Sequence, residues 1–330
     1  MLMIKEESLF QALTILLGTP VSDASYEMET LQGGTVGEVH FVSGEAVTGS
    51  DRQPYKLVVK TQRKWERHGD PNCWRREHDL YDANVIIPNQ IKLPCCLLLE
   101  EEADLTRIWM EYVEGVTGKH LDAEDLVLTA ERLGSFQADY HLRGRRDLSL
   151  LRGYPAVGSS FDLWWNNVKE PLRDTIEGFP DELRQILNGY AEQANELLNL
   201  LEALPVTLCQ GDVHQGNIIL RKDSGTTSVY LIDWDCAGYG RMGEDAIDLL
   251  IEAFVYSDWD VSMLPGLRRG IMDSYCQGAK LQGVDFDLGD KLVRDVFVLA
   301  WGFRIVSIYL YGQNECPKER YVQILYAMLT

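Results

Sequence analysis

The stretch that most constrains this chain runs from residue 206 to residue 235. It opens Val-Thr-Leu-Cys-Gln-Gly-Asp-Val-His-Gln-Gly-Asn-Ile-Ile-Leu and ends Val-Tyr-Leu-Ile-Asp-Trp-Asp. Two apolar runs, 218–220 and 229–232, flank the turn signal Asp223-Ser224-Gly225, which reads as a strand, a turn and a strand. Such a hairpin carries Asp233 back beside Asn217, sixteen residues earlier. Asp212 lies five residues before Asn217, on a loop.

Phosphoryl transfer needs this set of groups. A carboxylate orients the attacking hydroxyl and accepts its proton, while an amide oxygen and a second carboxylate hold Mg²⁺ against the phosphates. The order and spacing match the catalytic and metal-binding segments of kinases. Each residue by itself has a plainer reading, as a solvated loop acid or an asparagine that stabilises a turn. The combination with the apolar strand and Asp233-Trp234-Asp235 is what carries the functional one.

The rest of the chain supplies two kinds of structure. Up to Val113 it reads mostly as strands, at 26–31, 36–42, 56–61, 96–101 and 107–113, with a helix over 71–84 that starts at Pro71. An amphipathic helix covers 9–17. From Gly115 onward helices dominate, at 124–141, 181–204, 243–254 and 290–311, around the strand-rich island 206–233. The expected fold is α+β, with a small antiparallel β-rich N-terminal lobe (residues 1–113), a larger helical C-terminal lobe (114–330) and a hinge at Tyr112-Val113-Glu114-Gly115.

Composition narrows the function. The 330 residues are 45% hydrophobic, enough for a sizeable core, and the formal net charge is −20. That charge argues against nucleic-acid partners, which need clustered Lys and Arg. It suits solubility, and also a cationic substrate drawn into an acid-lined cleft. Seven cysteines, irregularly spaced and with no Cys-x-x-Cys, point to buried free thiols in a reducing compartment. The acidic N-terminal stretch reads as an amphipathic helix, with no signal peptide expected, and no run is long enough for a membrane span. A cytoplasmic protein is expected.

The segment Gln210-Gly211-Asp212-Val213-His214-Gln215-Gly216-Asn217, with Leu231-Ile232-Asp233-Trp234-Asp235, resembles the aminoglycoside phosphotransferase family of protein-kinase-like small-molecule kinases. The resemblance implies a bilobal protein-kinase-like fold and the cofactors ATP and Mg²⁺. It implies Asp212 as catalytic base and Asn217 and Asp233 as metal ligands. Asp235 and Asp248 match recurrent acids of the family, and Asp248 is read as structural. One departure is Gln210, where the family has a histidine that supports the loop; glutamine offers both a donor and an acceptor for that role.

On the nucleotide side, Lys60 on the third strand is placed to contact the α- and β-phosphates and to pair with a helix glutamate. Glu77, seventeen residues on, is the best partner, with Asp79 as a competitor. The loop containing Gly33, Gly34 and Gly37 falls where the family covers the phosphates. The resemblance alone assigns the adenine contacts to the backbone of Glu111 and Val113. His141 reads as a packed structural histidine. Trp164, Trp165 and the segment 252–260, rich in acids and aromatics, are candidate walls for the phosphate acceptor. They suit a cationic amine, or equally helix packing and solvated surface. Aminoglycoside, choline, sugar and amino-alcohol acceptors are not separated by sequence. Two other readings stay open: a Ser/Thr protein kinase, although Asp-Phe-Gly and Ala-Pro-Glu segments are missing, and a non-catalytic pseudokinase, for which Gln210 is the sole support.

Overall fold

The computed structural model describes residues 4–31, 37–66, 70–83, 90–143, 157–223, 225–312 and 316–330. Gly33 and Gly34 lie outside these residues. The chain separates into two compact units. One comprises Met1–Ile86, Leu93–Gly115 and Ile232–Cys236; the other comprises Ile87–Lys92, Val116–Leu231 and Ala237–Thr330.

The first unit is built on helix α1 (Glu6–Leu17), strands β1 (Asp23–Thr30), β2 (Gly37–Thr48) and β3 (Asp51–Arg63), helix α2 (Arg76–Asp82), and strands β4 (Cys96–Glu102) and β5 (Leu105–Glu111). The strands form one antiparallel sheet in the order β1-β2-β3-β5-β4. Two-residue turns close the β2–β3 and β4–β5 hairpins, and Gly49 takes the left-handed conformation that the first of them needs (φ 63°). Alternation along β3 turns Tyr55, Leu57 and Val59 to one face, where they pack with Val42 and Trp109 against Leu9 and Leu13 of α1. The opposite face of β3 carries Lys60, which is also buried. α1 stops at Gly18 in the left-handed conformation.

The second unit contains strand β6 (Val116–Thr117), helices α3 (Ala123–Arg143), α4 (Val157–Arg173), α5 (Asp181–Glu192) and α6 (Ala194–Glu202), strands β7 (Val206–Cys209), β8 (Ile218–Asp223), β9 (Thr226–Leu231) and β10 (Gly238–Arg241), and helices α7 (Glu244–Val255), α8 (Leu264–Leu281), α9 (Asp290–Phe297), α10 (Phe303–Tyr311) and α11 (Lys318–Leu329). α7 is apolar almost all round and buries Ala246, Ile247, Leu249, Leu250, Ile251, Phe254 and Val255, as a central helix must. α3 and α8 pack so closely that a methyl group on Gly134 would lie 2.0 Å from the Tyr275 carbonyl oxygen, and one on Gly278 2.0 Å from that of Glu131.

The β8–β9 hairpin forms as expected, pairing Ile218 with Leu231 through to Asp223 with Thr226. The single helix expected over 181–204 is two. α5 and α6 are interrupted at Gln193, whose backbone (φ −97°, ψ 4°) is not helical. The buried stripe Leu183, Leu187, Ala194, Leu197, Leu201 crosses the break in one seven-residue step, two helical turns, so periodicity could not reveal it. The segment expected as one helix over 290–311 runs through a π-helical turn, Val298–Gly302, between α9 and α10. Among the described residues, no helix is long and apolar enough to cross a membrane.

Candidate active site

Each unit brings together one set of the residues singled out by sequence. In the first, the register of β3 between β2 and β5 places Lys60 opposite Val39 and Ile108, aimed at α2. Its Nζ lies 2.5 Å from Glu77 Oε2 and 2.5 Å from Asp233 Oδ1. Lys60 is 7% exposed and Glu77 1%. Burial opposes the charge on Lys60, but the carboxylates of Glu77, Asp233 and Asp235 outweigh it and hold the ammonium protonated, above its ordinary range. Asp79 is engaged elsewhere, with the Arg75 guanidinium at 2.9 Å. Asp233 is the one non-glycine among the described residues with left-handed backbone (φ 59°). That conformation costs free energy for a side-chain-bearing residue, although aspartate tolerates it better than most.

Gly37 begins β2, paired with Gln62. At the other end of the sheet, the Glu111 N–H donates to the Cys95 carbonyl (3.0 Å), and the Glu111 carboxylate accepts from the Cys95 N–H (2.9 Å). Val113 is buried.

In the second unit the loop after β7 presents Asp212 and Asn217. Asn217 Nδ2 donates to the Asp212 carbonyl at 3.0 Å and approaches its carboxylate at 3.5 Å, which leaves the amide oxygen as the group Asn217 can offer a cation. His214 Nδ1 accepts the Gly216 N–H (3.0 Å), so its proton sits on Nε2, 3.7 Å from Asp212 Oδ2. Gln210 is buried, and its Oε1 accepts the Asp212 N–H at 2.7 Å. The glutamine therefore supports the loop directly.

Behind the loop lies a set of residues that sequence reading missed. Asp245, fully buried in the first turn of α7, accepts the N–H groups of Gln210 (2.9 Å) and Gly211 (3.0 Å) and the side-chain amide of Gln137 (2.8 Å). Gln137 Oε1 accepts the Tyr275 hydroxyl, which itself accepts the Gly243 N–H at 3.0 Å. Burial pushes Asp245 up to about 6 against the pull of these donors. Two signals could have found the network. Gln137 sits in the apolar stripe of α3, where a buried amide demands partners. Gly243, with φ 100°, precedes a helix whose first turn carries two acids. His141, as expected of a structural histidine, donates from Nδ1 to the Val206 carbonyl (3.0 Å).

Successive turns of α7 carry two more acids. Asp248 accepts the Trp301 indole N–H at 2.7 Å; burial and the charge of Asp245 push it up to about 7. Burial pushes Glu252 up to about 8 despite the nearby Arg304. Glu252 and Tyr256 form part of the wall of a cavity of about 320 Å³, completed by loop residues 214–216, residues 118–119 and Ser257. Of the other candidate wall residues, Trp165 packs against Phe161 and Phe303, Phe254 packs against Trp259, and Asp260 caps the turn at Ser262. Those are structural roles.

Similar architecture occurs in solved structures. A microcompartment-associated aminopropanol kinase matches with a TM-score of 0.56 at 14% identity, over 98% of this chain and 94% of its own. A choline kinase from Cryptosporidium parvum Iowa II matches with a TM-score of 0.56 at 15% identity, over 92% and 88%. An amicoumacin kinase, solved in complex with AMP-PNP, Ca²⁺ and Ami, matches with a TM-score of 0.51 at 12% identity, over 98% and 92%. At such identities these matches establish the fold, an antiparallel β unit followed by a helical one. A search of curated protein sequences returns no match. A sequence-family model, described as the phosphotransferase enzyme family, matches residues 47–285, and the chain belongs to that family.

Proposed function

We propose that this phosphotransferase moves the γ-phosphoryl group of ATP to a hydroxyl of a small molecule, with Asp212 as the base. The observation that carries the reading is the buried ammonium of Lys60, fixed between Glu77 and Asp233. A lysine desolvated and held charged in this way serves as a fixed cation for the α- and β-phosphates. Kinase neighbours of the same fold have been solved with AMP-PNP or with ADP, which supports ATP as the donor.

The donor set also fits Mg²⁺. Asp233 offers a carboxylate and Asn217 an amide oxygen, both hard ligands of the kind that ion takes alongside substrate phosphates. When bound, the ion neutralises charge on the phosphates. Asp212 accepts a hydrogen bond from the acceptor hydroxyl and takes its proton as the oxygen attacks. The new P–O bond forms as the bond to the β-phosphate bridging oxygen breaks, and ADP leaves. Adenine would meet the carbonyl of Glu111, whose N–H is already committed, and the N–H of Val113. Gly33, Gly34 and Gly37 would cover the phosphates with backbone amides.

Asp212→Asn should reduce acceptor-dependent ADP release about 10²–10⁴-fold while leaving ATP affinity nearly unchanged. Equal turnover in variant and wild type removes Asp212 from the mechanism. Labelling of protein substrates by radiolabelled ATP, with none of small hydroxyl compounds, would move the acceptor class to proteins.

A further inference from the structure

Arg304, in the first turn of α10, sits inside a box of aromatic rings. Its guanidinium carbon lies 4.0 Å from the ring centre of Trp301, 5.5 Å from that of Tyr256 and 5.7 Å from that of Trp164. Nη2 donates to the Tyr256 hydroxyl at 3.1 Å and stands 3.8 Å from Glu252 Oε1. Aromatic faces backed by a carboxylate are how proteins bind ammonium ligands. Here the bound cation belongs to the chain. Glu252 and Tyr256 also face the cavity beside the Asp212 loop, so the carboxyl group and the ring are engaged before any ligand arrives.

The same cavity wall holds a polar group in the opposite condition. Gln215 is 4% exposed, and among the described residues neither its Nε2 nor its Oε1 has a hydrogen-bond partner. A buried amide left unpaired loses its hydration with nothing in return. The carboxamide asks for one acceptor and one donor. A quaternary ammonium offers neither, and a primary ammonium only donates. A carboxylate only accepts. A pair of hydroxyls satisfies both atoms, because each hydroxyl donates and accepts.

We propose that Arg304 fills a cation cage from within, and that the cavity beside it takes an uncharged polyhydroxylated acceptor, a sugar or polyol held by Gln215, in place of an ammonium compound. The word acceptor rests on the phosphotransfer reading above; the cage and the class of ligand do not.

Binding tests the cage without turnover. Choline is titrated into wild type, Arg304→Met and Arg304→Lys while tryptophan fluorescence is followed, with thermal melts to verify folding and Arg304→Gln as substitute should the methionine variant not fold. Arg304→Met is expected to bind choline at least tenfold more tightly than wild type, and Arg304→Lys to behave like wild type. A folded variant that gains nothing, or a wild type that binds choline equally well, overturns the inference. Turnover tests the class: ADP release with ribose, glucose, sorbitol and myo-inositol is set against choline, ethanolamine and kanamycin. A response to the uncharged set is expected, with Gln215→Leu raising the acceptor KM at least tenfold and leaving the KM for ATP unchanged. Preference for the cations, or an unchanged acceptor KM in Gln215→Leu, overturns it. If no compound stimulates ADP release, the phosphotransfer reading fails for this panel. Calorimetry with AMP-PNP present then decides the class, because absence of binding by all four uncharged compounds overturns it independently.

Discussion

A single oxygen of Gln210 holds the backbone of Asp212, the task for which family resemblance predicts a histidine ring. The departure that alone supported the pseudokinase reading is thus a change of side chain that still hydrogen-bonds the loop. Lys60 is the residue with most at stake in its neighbours. Removing it leaves Glu77 nearly solvent-free beside Asp233 with no counter-charge among the described residues, so Lys60→Met should lower stability by about 3 kcal/mol in urea unfolding and, on the proposed function, weaken ATP binding. Exposed Lys5 and Lys56, by contrast, should each matter by well under 1 kcal/mol. Lys60, Glu77, Asp212, Asn217 and Asp233 stood out in the sequence because the chemistry proposed for them is carried by residue type at characteristic spacing. Asp245 was not: it acts by accepting backbone N–H groups, and backbone donors leave no mark in a sequence. Gln215 and Arg304 escaped notice for a related reason. Their significance lies in what surrounds them, a hydrogen-bond shell left empty by the described residues in one case and three rings in the other.

Helices and strands were read with uneven success, and the physics separates the cases. Strands with β-branched runs and turn residues between them, such as the β8–β9 hairpin, announce themselves. The gap between α5 and α6 does not, because one non-helical residue preserves the apolar stripe. The packing of α3 on α8 is equally silent, since two glycines in helices ordinarily count only as weak helix formers. In the fold they are where two backbones meet. Gly134→Ala would drive a methyl group into main-chain atoms that no rotamer change can move. It should destabilise the protein by about 1–3 kcal/mol, and by the upper end if the helices cannot separate. Gly189→Ala, a helical glycine with open space around it, should be neutral or stabilising in the same thermal melts.

Over the whole molecule, acidity has a consequence for stability. Glu244 is pushed up to about 8, chiefly by burial, with the Arg241 N–H pulling it down and Asp245 and Asp248 pushing it further up. A carboxyl group with a higher pKa in the folded chain than in the unfolded one favours folding when protonated. Its contribution is complete below about pH 4.5 and is lost as the pH climbs towards 8. Asp248 and Glu252 act in the same direction on the same helix, and a net charge of −20 adds self-repulsion. The melting temperature should therefore be higher near pH 6 than near pH 9. Glu244→Gln should flatten that slope, so that the variant gains on wild type as the pH rises. A variant that tracks wild type at every pH would show that Glu244 titrates normally.

Residues 232–236 close the unit whose other residues all precede Val116. Lys60 finds one of its two carboxylates seventeen residues away and the other one hundred and seventy-three away. On a ribosome, the amino-terminal sheet therefore emerges long before the strand end that completes its charge balance. The early chain has to hold a buried ammonium with Glu77 alone, or leave it hydrated, until most of the helical unit has been synthesised. The first unit to appear is thus completed only at Cys236, after Val116–Leu231 of the second has been made.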